Sequence, residues 1–219
     1  MLLTRYGFRE WFIISLIAAT VAAVAVSFAI YWLLISIGVL WLALASFFRD
    51  PLFRRPATDN PADLVSPADG LVSAIIEVEQ HPATRGMPAT IVRIYLSVFD
   101  VHINRAPCAC TIEAIEHAPG KYLDVRIEES AAVNEHLLMR CATTKGVPFG
   151  VKQIAGKVAR MIVNPQVVGN ALTRGERYGM IKFGSTTELI FPRANIETLM
   201  VTKGQRVKGG VSVLLRAHS

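Results

Sequence analysis

The long uncharged stretch near the N-terminus constrains this chain more than any other feature. No charged residue occurs between Trp11 and Phe48. As one helix, the stretch would reach roughly 57 Å at about 1.5 Å per residue. The hydrocarbon core of a bilayer is about 30 Å thick and needs roughly 20 helical residues. We therefore predict two short transmembrane helices in a hairpin that reverses around residues 27–31, with one long tilted helix as the alternative.

The charges on either side of this stretch predict its orientation. Arg5 and Arg9 precede it, and Arg49, Arg54 and Arg55 follow it. Lys and Arg cluster on the cytoplasmic side of spanning segments, so we expect both ends of the hairpin inside the cell. A cleavable signal peptide is the competing interpretation, but its apolar region is usually only about 7 to 15 residues long.

Composition separates the anchor from the rest of the chain. Charged residues make up 18% of the chain and the net charge is +6, whereas soluble domains carry about 25% charge. Most of the charges follow residue 50, and Pro51, Pro56 and Pro61 interrupt any helix there. We predict a membrane anchor over residues 1–50, a basic, proline-containing linker over 51–63 and a globular domain over 64–219.

The globular domain consists of short apolar or alternating runs separated by glycine, proline and asparagine. Such runs are typical of β-strands, and a helical period occurs only around residues 130–136. The predicted fold class is therefore mainly β, with a barrel-like or sandwich-like soluble domain. The glycine-bearing hairpin over residues 201–210 resembles the end of a lipoyl or biotinyl carrier domain. The predicted strands are 71–78, 89–98, 111–115, 137–142, 158–163, 178–183, 188–191 and 211–215.

The cysteines and the missing motifs narrow the function classes. Cys108, Cys110 and Cys141 are too few for a disulfide scaffold, and the spacing of the first two is narrower than in usual zinc sites. We expect them in the core or in turns, and we expect no metal. The chain has no Walker loop, no dinucleotide-binding glycine motif and no basic patch interleaved with aromatic residues, so nucleic acid is not an expected partner.

Three short motifs contain residue types that can carry chemistry. SPADG contains Asp69, which taken alone is typical of an ordinary turn. DVHINRAP contains His102 and Arg105, and a histidine can act as a general base or can be a hydrogen-bonded turn residue. GMIKFGST contains Ser185 after Gly184, where the serine is either a polar strand-end residue or a nucleophile.

The order SPADG, YLSVFDVH, GMIKFGST behind an apolar N-terminal stretch resembles the phosphatidylserine decarboxylase family, and in particular its short form. The likeness spans nearly the whole chain and includes FFRDP, QIAG and GERYG. It implies a membrane-bound lyase of phospholipid biosynthesis. Such an enzyme converts phosphatidylserine to phosphatidylethanolamine, and a close aminophospholipid is the alternative substrate.

The resemblance also implies a covalent cofactor that is made from the chain. Members of this family are zymogens that cut themselves autocatalytically between the glycine and the serine of this motif, here Gly184 and Ser185. Ser185 would become a pyruvoyl group, which acts as an electron sink while CO₂ leaves. The mature protein would be a heterodimer of the two pieces, and further assembly is left open. Asp69 and His102 match the carboxylate and the base that activate the serine.

Arg105 departs from the pattern of longer bacterial members, which resemble this segment but have a second histidine here. Arginine is effectively always protonated and cannot act as a base. Our hypothesis is that His102 serves cleavage, turnover or both. Arg105 would then hold an anionic group, either the lipid phosphate or the substrate carboxylate.

Two other functions stay open at this stage. A membrane-anchored serine hydrolase would use Asp69, His102 and Ser185 as a triad, although the Gly-x-Ser-x-Gly elbow is absent. A membrane-tethered β carrier or adaptor domain would stay one uncut chain with an ordinary serine.

Overall fold

The protein divides into a helical N-terminal unit and a β-rich C-terminal unit. The structure is a computed structural model that describes residues 2–124, 127, 129–157, 161–182 and 185–218. The two compact units are Met1–Phe53 and Arg54–Ser219. The division falls inside the stretch 51–63, where the prolines follow the apolar run.

The N-terminal unit is a pair of packed helices, α1 (Phe8–Ser27) and α2 (Trp32–Ser46). The predicted reversal around residues 27–31 is confirmed, and Ala29 has a positive φ of 56° there. At about 1.5 Å per residue, α1 is about 30 Å long and α2 about 22 Å. The segment Arg5–Ser27 is long and apolar enough to cross a membrane, whereas Trp32–Ser46 is shorter.

Both helices carry apolar side chains on all faces, and most of these are exposed. Several polar side chains in the apolar run are hydrogen-bonded within this unit. Ser15 Oγ donates to the Trp11 carbonyl (2.8 Å), and Trp41 Nε1 of α2 donates to Ser15 Oγ (2.9 Å). A helix that is apolar all round requires an apolar environment on every side, and a membrane provides one.

The C-terminal unit is mainly β, as the sequence predicts. In the part of the chain that the structure describes, its one α-helix is the single turn α3 (Ser130–Val133), within the predicted helical stretch. The strands are β1 (Asp63–Val65), β2 (Gly70–Val78), β3 (Ala89–Leu96), β4 (Ile103–Arg105), β5 (Cys110–Ala118), β6 (His136–Thr143), β7 (Pro148–Ile154), β8 (Met161–Val163), β9 (Ala171–Leu172), β10 (Arg177–Lys182), β11 (Ser185–Pro192), β12 (Ile196–Leu199), β13 (Arg206–Val207) and β14 (Val213–Ala217).

The main element is an eight-stranded antiparallel sheet in the order β13-β2-β3-β11-β7-β6-β5-β9. It curls into a half-barrel. Two three-stranded sheets accompany it, in the orders β1-β14-β12 and β4-β10-β8. Strand β11 lies inside the large sheet, and both of its edges are hydrogen-bonded, one to β3 and the other to β7.

The hydrophobic core lies mainly on one face of this sheet. Along β11, alternate side chains share a face, so Leu189 and Phe191 enter the main core together with Phe149 of β7. The prediction that the cysteines are small core residues is confirmed, because Cys108, Cys110 and Cys141 are all buried and free. Burial raises the pKa of the Cys108 thiol, which keeps it protonated and unreactive.

The predicted strands that have an observed counterpart differ from it mostly at their ends, whereas β7 (Pro148–Ile154) and β12 (Ile196–Leu199) are not among the predicted strands. Strand β11 begins at Ser185 rather than at residue 188, and β5 runs on to Ala118. The strands β1, β4, β9 and β13 are too short for an alternation of apolar and polar residues to be recognised in the sequence. Residues 158–160 and 183 of the predicted strands lie outside the described residues.

Candidate active site

Ser185 is the first residue of β11 and pairs with Leu96, the last residue of β3. Its side chain is completely buried. Within the described ranges, Ser185 Oγ has no hydrogen-bond partner. A buried hydroxyl without a partner costs free energy, about 1 to 3 kcal/mol in typical proteins. Gly184, the other predicted cleavage-site residue, lies outside the described residues.

His102 is also fully buried and lies between the end of β3 and the start of β4. Its backbone carbonyl accepts a hydrogen bond from the Ile181 N–H (3.3 Å), four residues before Ser185. Its ring Nδ1 lies 2.9 Å from the backbone carbonyl oxygen of Asp100. Because a carbonyl oxygen only accepts, Nδ1 carries the hydrogen of the neutral ring, and Nε2 is the nitrogen that can take up a proton.

The sheet register brings the segments that contain Ser185 and Asp69 to the same end of the large sheet. Leu96 of β3 opposes Ser185, and the preceding Tyr95 opposes Leu71 of β2. Asp69 lies two residues before Leu71. Strands β2, β3 and β11 are neighbours, so two strand spacings of about 4.8 Å separate the backbones of β2 and β11.

The Asp69 carboxylate is held in a bidentate ion pair. Arg54 Nη1 donates to Oδ1, and Arg54 Nη2 donates to Oδ2 at 2.8 Å. The Gly209 N–H also donates to Oδ1 (2.9 Å), and the Gly209 carbonyl accepts from Arg54 Nη1 (2.8 Å). Gly70 follows with a φ of 150°, and a Cβ there would lie 2.1 Å from the Tyr95 carbonyl oxygen. The turn therefore requires glycine after the aspartate.

Arg105, the last residue of β4, is 5% exposed. Its Nη1 donates to the Gly175 carbonyl (3.0 Å), and its Cδ packs against Gly210, where a Cβ would lie only 2.7 Å away. The Gly209 N–H donates to Asp69, and Gly210 packs against Arg105. The glycine pair therefore contacts both predicted site residues. Arg177 of β10 opposes Arg105 in the sheet and adds positive charge to this part of the fold.

Sequence reasoning missed two of these partners. Arg54 was predicted only as a basic flank of the membrane segment, yet it holds Asp69. The predicted partner of His102 is a carboxylate, whereas in the structure Nδ1 donates to the Asp100 backbone carbonyl, an acceptor that no side-chain motif can reveal. The Asp100 carboxylate itself accepts from Ser97 Oγ (2.8 Å) and from Arg206 (3.0 Å).

The other histidines for which the structure gives contacts have local partners. His81 Nδ1 accepts from the Ala83 N–H (3.0 Å), His117 Nε2 pairs with Glu135 (2.8 Å), and His136 Nδ1 donates to the Asn134 carbonyl (2.9 Å). Burial lowers the pKa of His81 and of His136, so both rings are neutral at physiological pH. These contacts agree with purely structural roles.

Comparison with known proteins identifies relatives along almost the whole chain. The sequence model of the phosphatidylserine decarboxylase family matches residues 41–215. A phosphatidylserine decarboxylase proenzyme of Carboxydothermus hydrogenoformans is 37% identical over 99% of this chain and 97% of the relative. A phosphatidylserine decarboxylase proenzyme of Symbiobacterium thermophilum is 41% identical over 94% of this chain and 92% of the relative. Another, from Zymomonas mobilis, is 37% identical over 94% and 83%.

Proposed function

Because the chain belongs to the phosphatidylserine decarboxylase family, we propose that it converts phosphatidylserine to phosphatidylethanolamine after cutting its own Gly184–Ser185 bond. The observation that carries this proposal is the buried Ser185 hydroxyl, which has no hydrogen-bond partner within the described ranges. The name proenzyme, which its relatives bear, supports a precursor that needs processing.

The self-cleavage uses only the chain and one water molecule. Ser185 Oγ adds to the Gly184 carbonyl carbon, the peptide C–N bond breaks, and an ester replaces the amide while the Ser185 nitrogen becomes a free amine. Removal of the Ser185 α-proton then breaks the Cβ–Oγ bond. Oγ leaves with the new Gly184 carboxylate, and a dehydroalanine stays at position 185. Water hydrolyses this residue, releases ammonia and leaves a pyruvoyl group.

Position 185 fits this group for a physical reason. The reaction removes the buried Oγ from residue 185 and leaves a methyl group. Because Oγ has no hydrogen-bond partner within the described ranges, and a methyl group needs none, the change breaks no hydrogen bond of the Ser185 side chain. When present, a pyruvoyl group supplies the electron sink for the loss of the substrate carboxylate. The surrounding chain contributes burial, since Ser185 and His102 are both 0% exposed.

His102 is the base in this proposal. Its Nδ1–H is fixed on the Asp100 carbonyl, so Nε2 is the atom that can take the Ser185 proton and later return one to the substrate. Arg105 cannot share this task because a guanidinium does not lose its proton near neutral pH.

After the cut, the two pieces stay together as a heterodimer. Residues 185–192 form β11, which is hydrogen-bonded to β3 along its whole length and also to β7, and both of these strands belong to the other piece. The domain 64–219 is the catalytic part of this scheme, and residues 51–63 link it to the anchor.

Asp69 is proposed to stabilise His102 when the ring becomes protonated. We expect Asp69→Asn to slow self-cleavage by at least about tenfold, because the amide keeps an acceptor for the Gly209 N–H but loses the negative charge. Arg54→Met removes the ion-pair partner and keeps that charge, so it should slow cleavage much less. Cleavage half-lives after cell-free synthesis measure both effects. Equal slowing by the two variants would limit Asp69 to anchoring Arg54.

Arg105 is proposed to hold the phosphate or the carboxylate of the substrate. Its cross-strand neighbour in β10 is a second arginine, Arg177, which supports a site for an anion. We expect Arg105→Ala to raise the KM for phosphatidylserine on the order of 10- to 100-fold, which is typical of a lost hydrogen bond between charged groups. Arg193→Ala is the control, because Arg193 pairs with Glu77 and Glu79 on the surface. Normal cleavage and normal turnover in Arg105→Ala would contradict this role.

We propose the cell membrane as the location, with the catalytic unit on the cytoplasmic side. The apolar segment Arg5–Ser27 and the arginines on both flanks of the helices support this placement. Exposed apolar side chains also occur in the loop between Leu96 and His102, where Phe99 is 83% and Val98 45% exposed. Such a loop next to the site suits an enzyme whose substrate stays in a bilayer.

The direct test incubates purified full-length protein in detergent with vesicles of phosphatidylserine and neutral lipid, and measures phosphatidylethanolamine and CO₂. The proposal expects both products in equal amounts. Release of fatty acid or of free serine by an uncut chain would instead identify a serine hydrolase. An uncut chain with no product would favour the carrier or adaptor interpretation.

A further inference from the structure

The side chain of Asn104 lies at the centre of a buried hydrogen-bond network. Asn104 is 0% exposed. Its Nδ2 donates to Thr187 Oγ1 (3.0 Å) and to the Pro67 carbonyl (3.4 Å), and its Oδ1 accepts from Gln153 Nε2 (2.8 Å). Gln153 is likewise fully buried, and its Oε1 accepts from Asn164 Nδ2 (3.3 Å).

This one amide connects the three segments that carry the candidate catalytic residues. Asn104 lies two residues after His102, Thr187 two residues after Ser185, and Pro67 two residues before Asp69. In an extended strand, residues two apart share a face, so Thr187 projects from β11 on the same side as Ser185. The hydrogen bond between Asn104 and Thr187 therefore helps to fix the position of β11, and with it the position of Ser185, relative to β4.

A buried amide with partners on both its nitrogen and its oxygen makes the local structure rigid, because breaking any one bond leaves a buried polar atom unpaired. Small displacements matter for a reaction that needs a nucleophile close to a carbonyl carbon. A shift of about 1 Å can cost on the order of 100-fold in rate.

We propose that Asn104 is a positioning residue for self-cleavage, which sets the place of Ser185 through its hydrogen bond to Thr187. This inference rests on the proposed function, since it concerns the same cut. Asn104 itself neither attacks nor transfers a proton.

Two substitutions at Thr187 separate positioning from packing. Thr187→Val keeps the volume and removes the acceptor for Asn104, whereas Thr187→Ser keeps the acceptor and removes a methyl group from a fully buried site. A role in positioning predicts that Thr187→Val cleaves at least about tenfold more slowly than Thr187→Ser. A role in packing alone predicts the reverse order, because only the serine leaves a cavity.

The experiment measures the cleavage half-life of the full chain after cell-free synthesis in the presence of detergent. Asn104→Leu should resemble Thr187→Val. Asn164→Ala is the control, since it removes the outer end of the network without touching the three bonds of Asn104. Thermal unfolding of each variant in a Ser185→Ala background identifies temperatures at which all are folded, and rates are compared there.

The outcomes distinguish this inference from the proposed function. A wild-type chain that never cuts overturns the proposed function and this inference with it. A wild-type chain that cuts, with Thr187→Val as fast as Thr187→Ser or faster, overturns only the role of Asn104.

Discussion

We expect Ser185→Ala to yield a chain that stays whole and has no decarboxylase activity. Without Oγ there is no nucleophile for the Gly184 carbonyl and no source for the pyruvoyl group, so the expected loss is complete rather than partial. Removing a buried hydroxyl that has no hydrogen-bond partner in the described ranges should not destabilise the fold. Gel analysis of the purified protein and a phosphatidylethanolamine assay measure the two losses.

Thr90→Val is a matched control for this variant. Thr90 is a buried hydroxyl residue of β3 that pairs with Phe191, near the opposite end of the same strand pair from Ser185. It should cut and turn over like the wild type. Cleavage or activity in Ser185→Ala would contradict the assignment of the nucleophile.

His102→Asn should slow self-cleavage on the order of 100- to 10,000-fold, the usual contribution of a general base. Asparagine can keep a donor for the Asp100 carbonyl, which Nδ1 bonds in the wild type, but it has no basic nitrogen in place of Nε2. The variant therefore removes proton transfer while it preserves the local hydrogen bond. Cleavage half-lives from pulse labelling give the rate, and any cut fraction can be assayed for turnover.

His117→Asn is the control for this prediction, since His117 lies on β5 and pairs with Glu135. Its loss should leave cleavage unchanged, because an exposed ion pair contributes little. A rate in His102→Asn within threefold of the control would assign the base to another residue.

The fold class could be predicted because its causes are local. An uncharged stretch too long for one upright crossing favours a reversal over one long tilted helix, and the structure has the turn between the two helices at the predicted place. Strands β2, β3 and β6 can be predicted from their runs of apolar and β-branched residues. Strands of two or three residues, such as β4 and β13, are too short to show such a run. They form because they are hydrogen-bonded to the neighbouring strands β10 and β2.

The order of the motifs predicts which residues form the candidate site, but it does not predict their partners. The pair of Arg54 with Asp69 joins a linker arginine to a turn aspartate, and neither segment has a pattern that specifies the other. Asn104 and Thr187 are 83 residues apart in the chain, and their contact depends on how β4 lies against the sheet. Gln153, the third member of this buried network, lies in β7, which has a lysine beside the glutamine and is not among the predicted strands.

Intact mass spectrometry of the purified full-length protein is the most direct test of self-cleavage at Ser185. We expect two pieces, residues 1–184 and residues 185–219. The smaller piece should be lighter than its hydrolysed sequence by about 17 Da, the mass difference between serine and a pyruvoyl group made from it. A single uncut chain, or a smaller piece that retains an ordinary N-terminal serine, would contradict the claim that this protein makes its cofactor from Ser185.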